Sequence, residues 1–292
     1  MLRRSRLIKQ LNDYFMNISK IIDMHVHYMP EATSDADILQ SMDKAGVEAC
    51  VMLAVPDHER YSLKKFTGTN KKVAELVKAH PDRIIGAVYI DPRNNMEAQT
   101  TIRHYRDLGF PMAKAWPPHG FSIDDPSVYP VWEVLNELKM GILFHMGGSL
   151  GVLKQGPLSV IRSCAFNAKF GRPEYLDQPA RFFPDVQFVI GHAAYPWTLE
   201  ALVLSYLHDN VYLDFSSRFG REGYNMIKTL KPEHGMNWQK QMFGSDSAGD
   251  PGPALDYWLA QAETEPLKEN ANSFFYDNAV SFLKKIGHCF PN

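Results

Sequence analysis

Short apolar runs alternate with amphipathic stretches along most of the chain, so the hydrophobic period switches repeatedly between about two and about 3.6 residues. The first run, Ile21 to His27, ends in two histidines one residue apart. A mixed segment from Asp35 to Ala45 follows and reads as a helix stopped by Gly46. Ala49 to Val55 then predicts a second strand, Lys71 to Ala79 a second helix closed by His80-Pro81-Asp82, and Ile84 to Ile90 a third strand. The series continues with a helix from Met96 to Leu108, a short strand from Met112 to Trp116, a helix from Tyr129 to Lys139 and a fifth strand ending at His145. Strand six ends at His192, a helix covers about Thr198 to Leu207, Val211 to Phe215 makes strand seven, and strand eight ends at Asp246. Helical segments around Pro253 to Ala262 and Phe274 to Ile286 complete eight strand-then-helix units, the pattern of an α/β protein built as a (β/α)8 TIM barrel.

Two stretches stand outside the alternation. The Gly-containing connection from Met146 to about Ser159 is long enough to be expected as a lid or binding loop. In the first twenty residues Leu7, Ile8, Leu11, Tyr14 and Phe15 recur at helical spacing, which predicts an amphipathic helix lying against the barrel or a neighbouring subunit. The expected organisation is therefore a helical extension over 1–20 and a single barrel domain over 21–292, a length that suits one such core.

Composition narrows the partners. A formal charge of -2 gives no electrostatic argument for binding nucleic acid or an anionic membrane. No run approaches the roughly 18 apolar residues of a membrane span, and the basic N-terminus lacks the apolar segment of a secretory signal. Cys50, Cys164 and Cys289 show no paired spacing, so neither a disulfide framework nor a thiolate zinc site is expected. These features point to a cytoplasmic protein with a small-molecule substrate and leave a homodimer open.

The candidate chemistry lies at the ends of the apolar runs. On a strand, residues two apart face the same side, so His25 and His27 can reach one ion. In a (β/α)8 barrel the active site forms at the C-terminal ends of the strands, which is where His145, His192 and Asp246 also fall. Imidazole and carboxylate together suit a borderline divalent metal, zinc first, with Mn2+, Co2+ or Fe2+ able to use the same donors. The proposed ligands are His25, His27, His145 and Asp246, sufficient for one ion whose bound water would be acidified toward neutrality. Asp246 is also placed to take a proton during attack. His192 is expected to exchange a proton or polarise a substrate oxygen, with a fifth-ligand or core role as alternatives.

These residues resemble the amidohydrolase superfamily, in the branch that includes aminocarboxymuconate-semialdehyde decarboxylase. The resemblance is carried by Asp23-Met24-His25-Val26-His27, Lys114-Ala115-Trp116-Pro117, Phe144-His145-Met146-Gly147-Gly148, Ile190-Gly191-His192, Phe243-Gly244-Ser245-Asp246 and the ending Asn278 to Leu283. It implies a distorted barrel of amidohydrolase type with one divalent ion, with His25, His27, His145 and Asp246 at the metal positions and His192 as the catalytic histidine. Lys114 is ranked first as a contact for a substrate anion, then as a solvated lysine, then as a metal bridge of the kind some superfamily members use. Arg218 could clamp a carboxylate through its planar fork. Trp116, His119 and Tyr195 could line the pocket, and Asp23 could steady a metal-binding histidine. The leading expectation is a metal-dependent hydrolase acting on a small organic acid, amide or lactone. The alternatives are a non-oxidative decarboxylase of an unsaturated or aromatic acid and a metal- or ligand-binding barrel without turnover.

Overall fold

The computed structural model describes residues 18, 20–56, 68–148, 167–230 and 237–290. Eight strands stand in one parallel sheet in chain order: β1 Ile21–His27, β2 Val47–Leu53, β3 Ile84–Tyr89, β4 Met112–Ala115, β5 Gly141–Phe144, β6 Gln187–Ile190, β7 Val211–Asp214 and β8 Gln241–Met242. Around them lie α1 Asp35–Ala45, α2 Asn70–Ala79, α3 Asn95–Asp107, α4 Tyr129–Glu137, α5 Asp177–Phe182, α6 Thr198–Leu207, α7 Ser217–Ile227, α8 Gly252–Gln261, α9 Leu267–Asn272 and α10 Asn278–Lys285. The ends of the sheet meet through a seam of backbone bonds: Met24 N–H donates to the Phe243 carbonyl at 3.0 Å, Asp246 N–H to that of His25 at 2.8 Å, and His27 N–H to that of Ser247 at 2.8 Å. The sheet thus curls into the expected (β/α)8 barrel.

The two faces of the strands serve two cores. One parity, including Val51, Ile85, Met112, Leu143, Val189, Tyr212 and Met242, fills the barrel interior. The other, including Met52, Val88, Ala113, Ile142 and Phe188, packs outward in the larger core that also takes in the helices. Phe282 and Leu283 of α10, with Ile286 just after it, join the interior cluster. They plug the end at which the strands begin, so closely that a Cβ on Gly141, the first residue of β5, would stand 2.9 Å from the Phe282 ring. With that end filled, the opposite end is left for chemistry.

The strands stop earlier than the apolar runs suggest. β6 ends two residues before His192, and β8 is only two residues long rather than reaching Asp246. The site residues themselves lie outside strand geometry: φ is 57° at His192, 46° at Ala193, 50° at Ala194 and 57° at Asp246, values that no strand accommodates. β2 is shifted two residues toward the N-terminus of its predicted span, and α5, α7 and α9 add to the predicted helices. The predicted N-terminal helix and most of the connection after β5 lie outside the described residues. No described helix is long and apolar enough to cross a membrane.

Candidate active site

β1 presents its histidines by breaking its own regularity. Ile22 and Met24 belong to the interior cluster while Val26 faces the outer one, and the ladder with β2 shifts register between Asp23 and Val26. That irregularity lets His25 and His27 take the inner face above Met24. Asp23 holds the bulge: its Oδ1 accepts the His25 N–H at 3.1 Å and the Ser245 N–H at 2.9 Å. Its predicted support of a histidine is therefore given to the backbone rather than to a ring. Burial pushes the Asp23 carboxyl up to about 7.

Three donor atoms converge above this bulge. His25 Nε2 lies 3.2 Å from His27 Nε2, and Asp246 Oδ1 lies 3.4 Å from the former and 3.2 Å from the latter. The seam bond from Asp246 N–H to the His25 carbonyl brings the carboxylate there, and its left-handed backbone turns the side chain inward. Burial opposes ionisation of Asp246, but His192, His27 and His25 around it hold it well below the usual carboxylate range. Burial also lowers His25 well below the ordinary imidazole value, so its ring is neutral at pH 7. Two imidazoles and a carboxylate turned toward one point form a donor set that fits a divalent ion.

The structure does not bring His145 into this trio. It follows β5, and its Nδ1 lies 3.0 Å from His192 Nε2. His192 in turn directs Nδ1 to Ser216 Oγ at 2.9 Å. Ser216 donates its hydroxyl proton to Asp214 Oδ2 at 2.7 Å, and His25 Nδ1 meets the same oxygen at 2.5 Å. Asp214 Oδ1 accepts the Ser216 N–H at 2.9 Å, which folds the β7 end back on itself. His25, His192 and Asp214 also lie close enough to suggest a second metal group, but the Ser216 hydroxyl already bridges them. Burial moves Asp214 up to about 6 and His192 down to about 4. Gly244 makes room for this arrangement, since a Cβ there would collide with Asp214 Oδ1 and stand 2.8 Å from His25 Cβ.

Asp214 and Ser216 were not among the residues singled out from the sequence. The signal was present: Tyr212 faces the barrel interior, so period two puts Asp214 and then Ser216 on the same face. The same rule carries Met112 to Lys114. Lys114 is wholly buried, and its Nζ meets no hydrogen-bond acceptor among the described residues. Burial lowers its pKa to about 7 against the pull of Asp246 and Asp214.

Trp116 stands just beyond, its ring 5.3 Å from that of His145, 4.6 Å from that of His119 and 6.4 Å from that of His27. Tyr195 stacks on Phe219 at 6.0 Å. Arg218 is exposed on the first turn of α7, with its guanidinium 6.0 Å from the Phe219 ring. The structure therefore does not seat Arg218 in the buried group as a clamp.

Comparison with known proteins adds the following. The amidohydrolase family profile matches residues 22–285. No curated protein matches the chain by sequence. Among solved structures, an uncharacterised TIM-barrel protein from Bordetella bronchiseptica is 19% identical, with 92% of this chain and 100% of that one covered and a TM-score of 0.69. A 5-carboxyvanillate decarboxylase from Novosphingobium aromaticivorans, complexed with manganese and 4-hydroxy-3-methoxy-5-nitrobenzoic acid, is 15% identical over 94% of this chain and 97% of that one, with a TM-score of 0.61. A 2,6-dihydroxybenzoate decarboxylase from Rhizobium is 15% identical over 92% and 99%, with a TM-score of 0.59. At these identities the structural likeness speaks for the fold.

Proposed function

The chain belongs to the amidohydrolase family, and on that premise we propose that it is a metal-dependent enzyme of small carboxylic acids that carries out non-oxidative decarboxylation of an unsaturated or aromatic substrate. The observation that carries this reading is the Lys114 side chain, buried within electrostatic reach of Asp246 and Asp214 and without a hydrogen-bond acceptor among the described residues. A cation in that state is costly until an anion joins it. A substrate carboxylate meets the need. Trp116 supplies a flat aromatic wall with a buried indole N–H that has no partner among the described residues, a surface suited to a planar conjugated acid. The two decarboxylases named above act on aromatic acids, which supports the same choice.

His25, His27 and Asp246 would hold one divalent ion, with His145 as a further donor. The ion, zinc or a metal such as manganese, would serve as a Lewis acid for substrate oxygens. In the reaction the bond between the substrate carbon and its carboxyl group breaks, the electron pair remains on that carbon, one proton is taken up there, and carbon dioxide leaves. Asp246, with 27% of its side chain exposed, is the most exposed member of the cluster; ionised at rest, it is assigned to relay that proton from solvent. His192, buried and bonded through both ring nitrogens, is assigned to exchange a proton with a substrate oxygen that displaces His145 from its Nε2. Lys114 fixes the carboxylate, and Trp116 fixes the plane of the substrate.

Hydrolysis of a lactone or amide is the second reading. It is favoured by the same carboxylate, because Asp246 can accept the proton of a water that attacks a carbonyl. A screen of the manganese- or zinc-loaded protein against hydroxybenzoates, unsaturated acids, lactones and amides tests both. Carbon dioxide release from a carboxylate supports the first reading, acid release from a lactone or amide supports the second, and neither across the panel rejects both.

A further inference from the structure

We infer that Asp214, acting through Ser216, fixes the tautomers of three histidines at once. Both are positioning residues in the site proposed above, and the inference about them rests on hydrogen bonding alone. Both Asp214 oxygens act as acceptors, Oδ1 for the Ser216 N–H and Oδ2 for the Ser216 hydroxyl. His25 Nδ1, 2.5 Å from its Oδ2, therefore carries a proton, and Nε2 of the neutral ring is a bare lone pair. Ser216 has one hydroxyl proton and gives it to Asp214 Oδ2. Its oxygen can then only accept from His192 Nδ1 at 2.9 Å, so that nitrogen also carries a proton and His192 Nε2 does not.

The constraint passes on once more. With His192 Nε2 unprotonated, His145 Nδ1 at 3.0 Å must be its donor, which strips the proton from His145 Nε2. One carboxylate at the end of β7 thus sets proton positions on β1, after β6 and after β5. In each ring Nε2 is the unprotonated nitrogen. For His25 it points at His27 Nε2 in the donor trio, for His192 it faces His145, and for His145 it is the ring nitrogen on the far side from that bond. A serine in the middle of the chain of bonds suits this task because its hydroxyl donates and accepts at the same time.

The test is the histidine 15N spectrum of the full-length protein at neutral pH, metal-free and zinc-loaded, since the protonated and bare ring nitrogens resonate far apart. Wild type is expected to show His25, His192 and His145 with the proton on Nδ1. Ser216→Ala should leave His25 unchanged and release His192 and His145 toward the Nε2-protonated form, while Asp214→Asn should disturb all three. Zinc titration of the same samples is expected to show a loss of affinity of about tenfold or more for Asp214→Asn, the scale typical of groups that orient a ligand. A wild-type His192 or His25 protonated at Nε2, or a His192 signal that Ser216→Ala does not move, overturns the inference. Nδ1-protonated rings in a wild-type protein that binds no zinc would uphold it and reject the metal reading instead.

Discussion

Replacing Lys114 with methionine should make the protein more stable and disable it. Burial lowers the folded-state pKa of Lys114 from 10.5 to about 7, whereas in the unfolded chain the group holds its proton to about pH 10.4. Between these values the unfolded state binds the proton that the folded state has given up. Stability therefore rises with pH across that window, by up to about 1.4 kcal/mol per pH unit. At pH 7 the same difference amounts to a penalty of roughly 4 kcal/mol against an exposed lysine. Methionine has similar length and no charge, so Lys114→Met removes the penalty and refills the space. Urea unfolding in a chelator, which keeps metal binding out of the measurement, is expected to show the variant more stable at pH 7 by a few kcal/mol. The wild type should close the gap as the pH approaches 9.5. A variant less stable than wild type at pH 7, or parallel pH dependences for the two proteins, would refute the reasoning. A buried cation that weakens the fold is retained at a site when something that binds there needs it.

Elemental analysis of the purified, metal-loaded protein is expected to give about one divalent ion per chain, lost in His25→Ala and His27→Ala; two tightly held ions with Lys114 carboxylated between them would make the lysine a bridge. His192→Ala should keep its ion while turnover falls about a hundredfold or more, the scale of a lost acid/base group, and metal loss equal to that of His25→Ala would make it a ligand. Gly244→Ala should cost about 1–3 kcal/mol in a denaturation curve, the usual range for overpacking, and weaken metal binding by pushing Asp214 off His25; unchanged metal affinity would contradict the role given to that glycine.

The barrel was legible because parallel strands buried on both faces leave near-continuous apolar runs, and four of the eight ended in a histidine or aspartate. His25, His27 and Asp246 were legible for the same reason. What the runs concealed was where the strands stop. His192 and Asp246 adopt left-handed backbone, a state that nothing in their local hydrophobicity announces, so both look like strand residues in sequence. Asp214 was passed over because an aspartate at the end of Val211-Tyr212-Leu213 reads as an ordinary strand terminus until the inward direction of Tyr212 is known. Arg218 was overvalued for the opposite reason, since its position after β7 suits a clamp but the first turn of α7 leaves it exposed.

The seam between β1 and β8 carries a consequence for how the protein is made. Asp23 and Ser245, 222 residues apart in sequence, are bonded across it, and His25 and Asp246 lie alongside. During synthesis the two histidines emerge early and wait for nearly the whole chain before their carboxylate partner exists. A nascent or truncated chain that lacks β8 holds two exposed imidazoles and no cluster. The donor group forms only when the first and last strands meet, so the ability to capture an ion reports that the ring of strands has closed. Contacts this distant in sequence form slowly, and the candidate donor cluster depends on one of them.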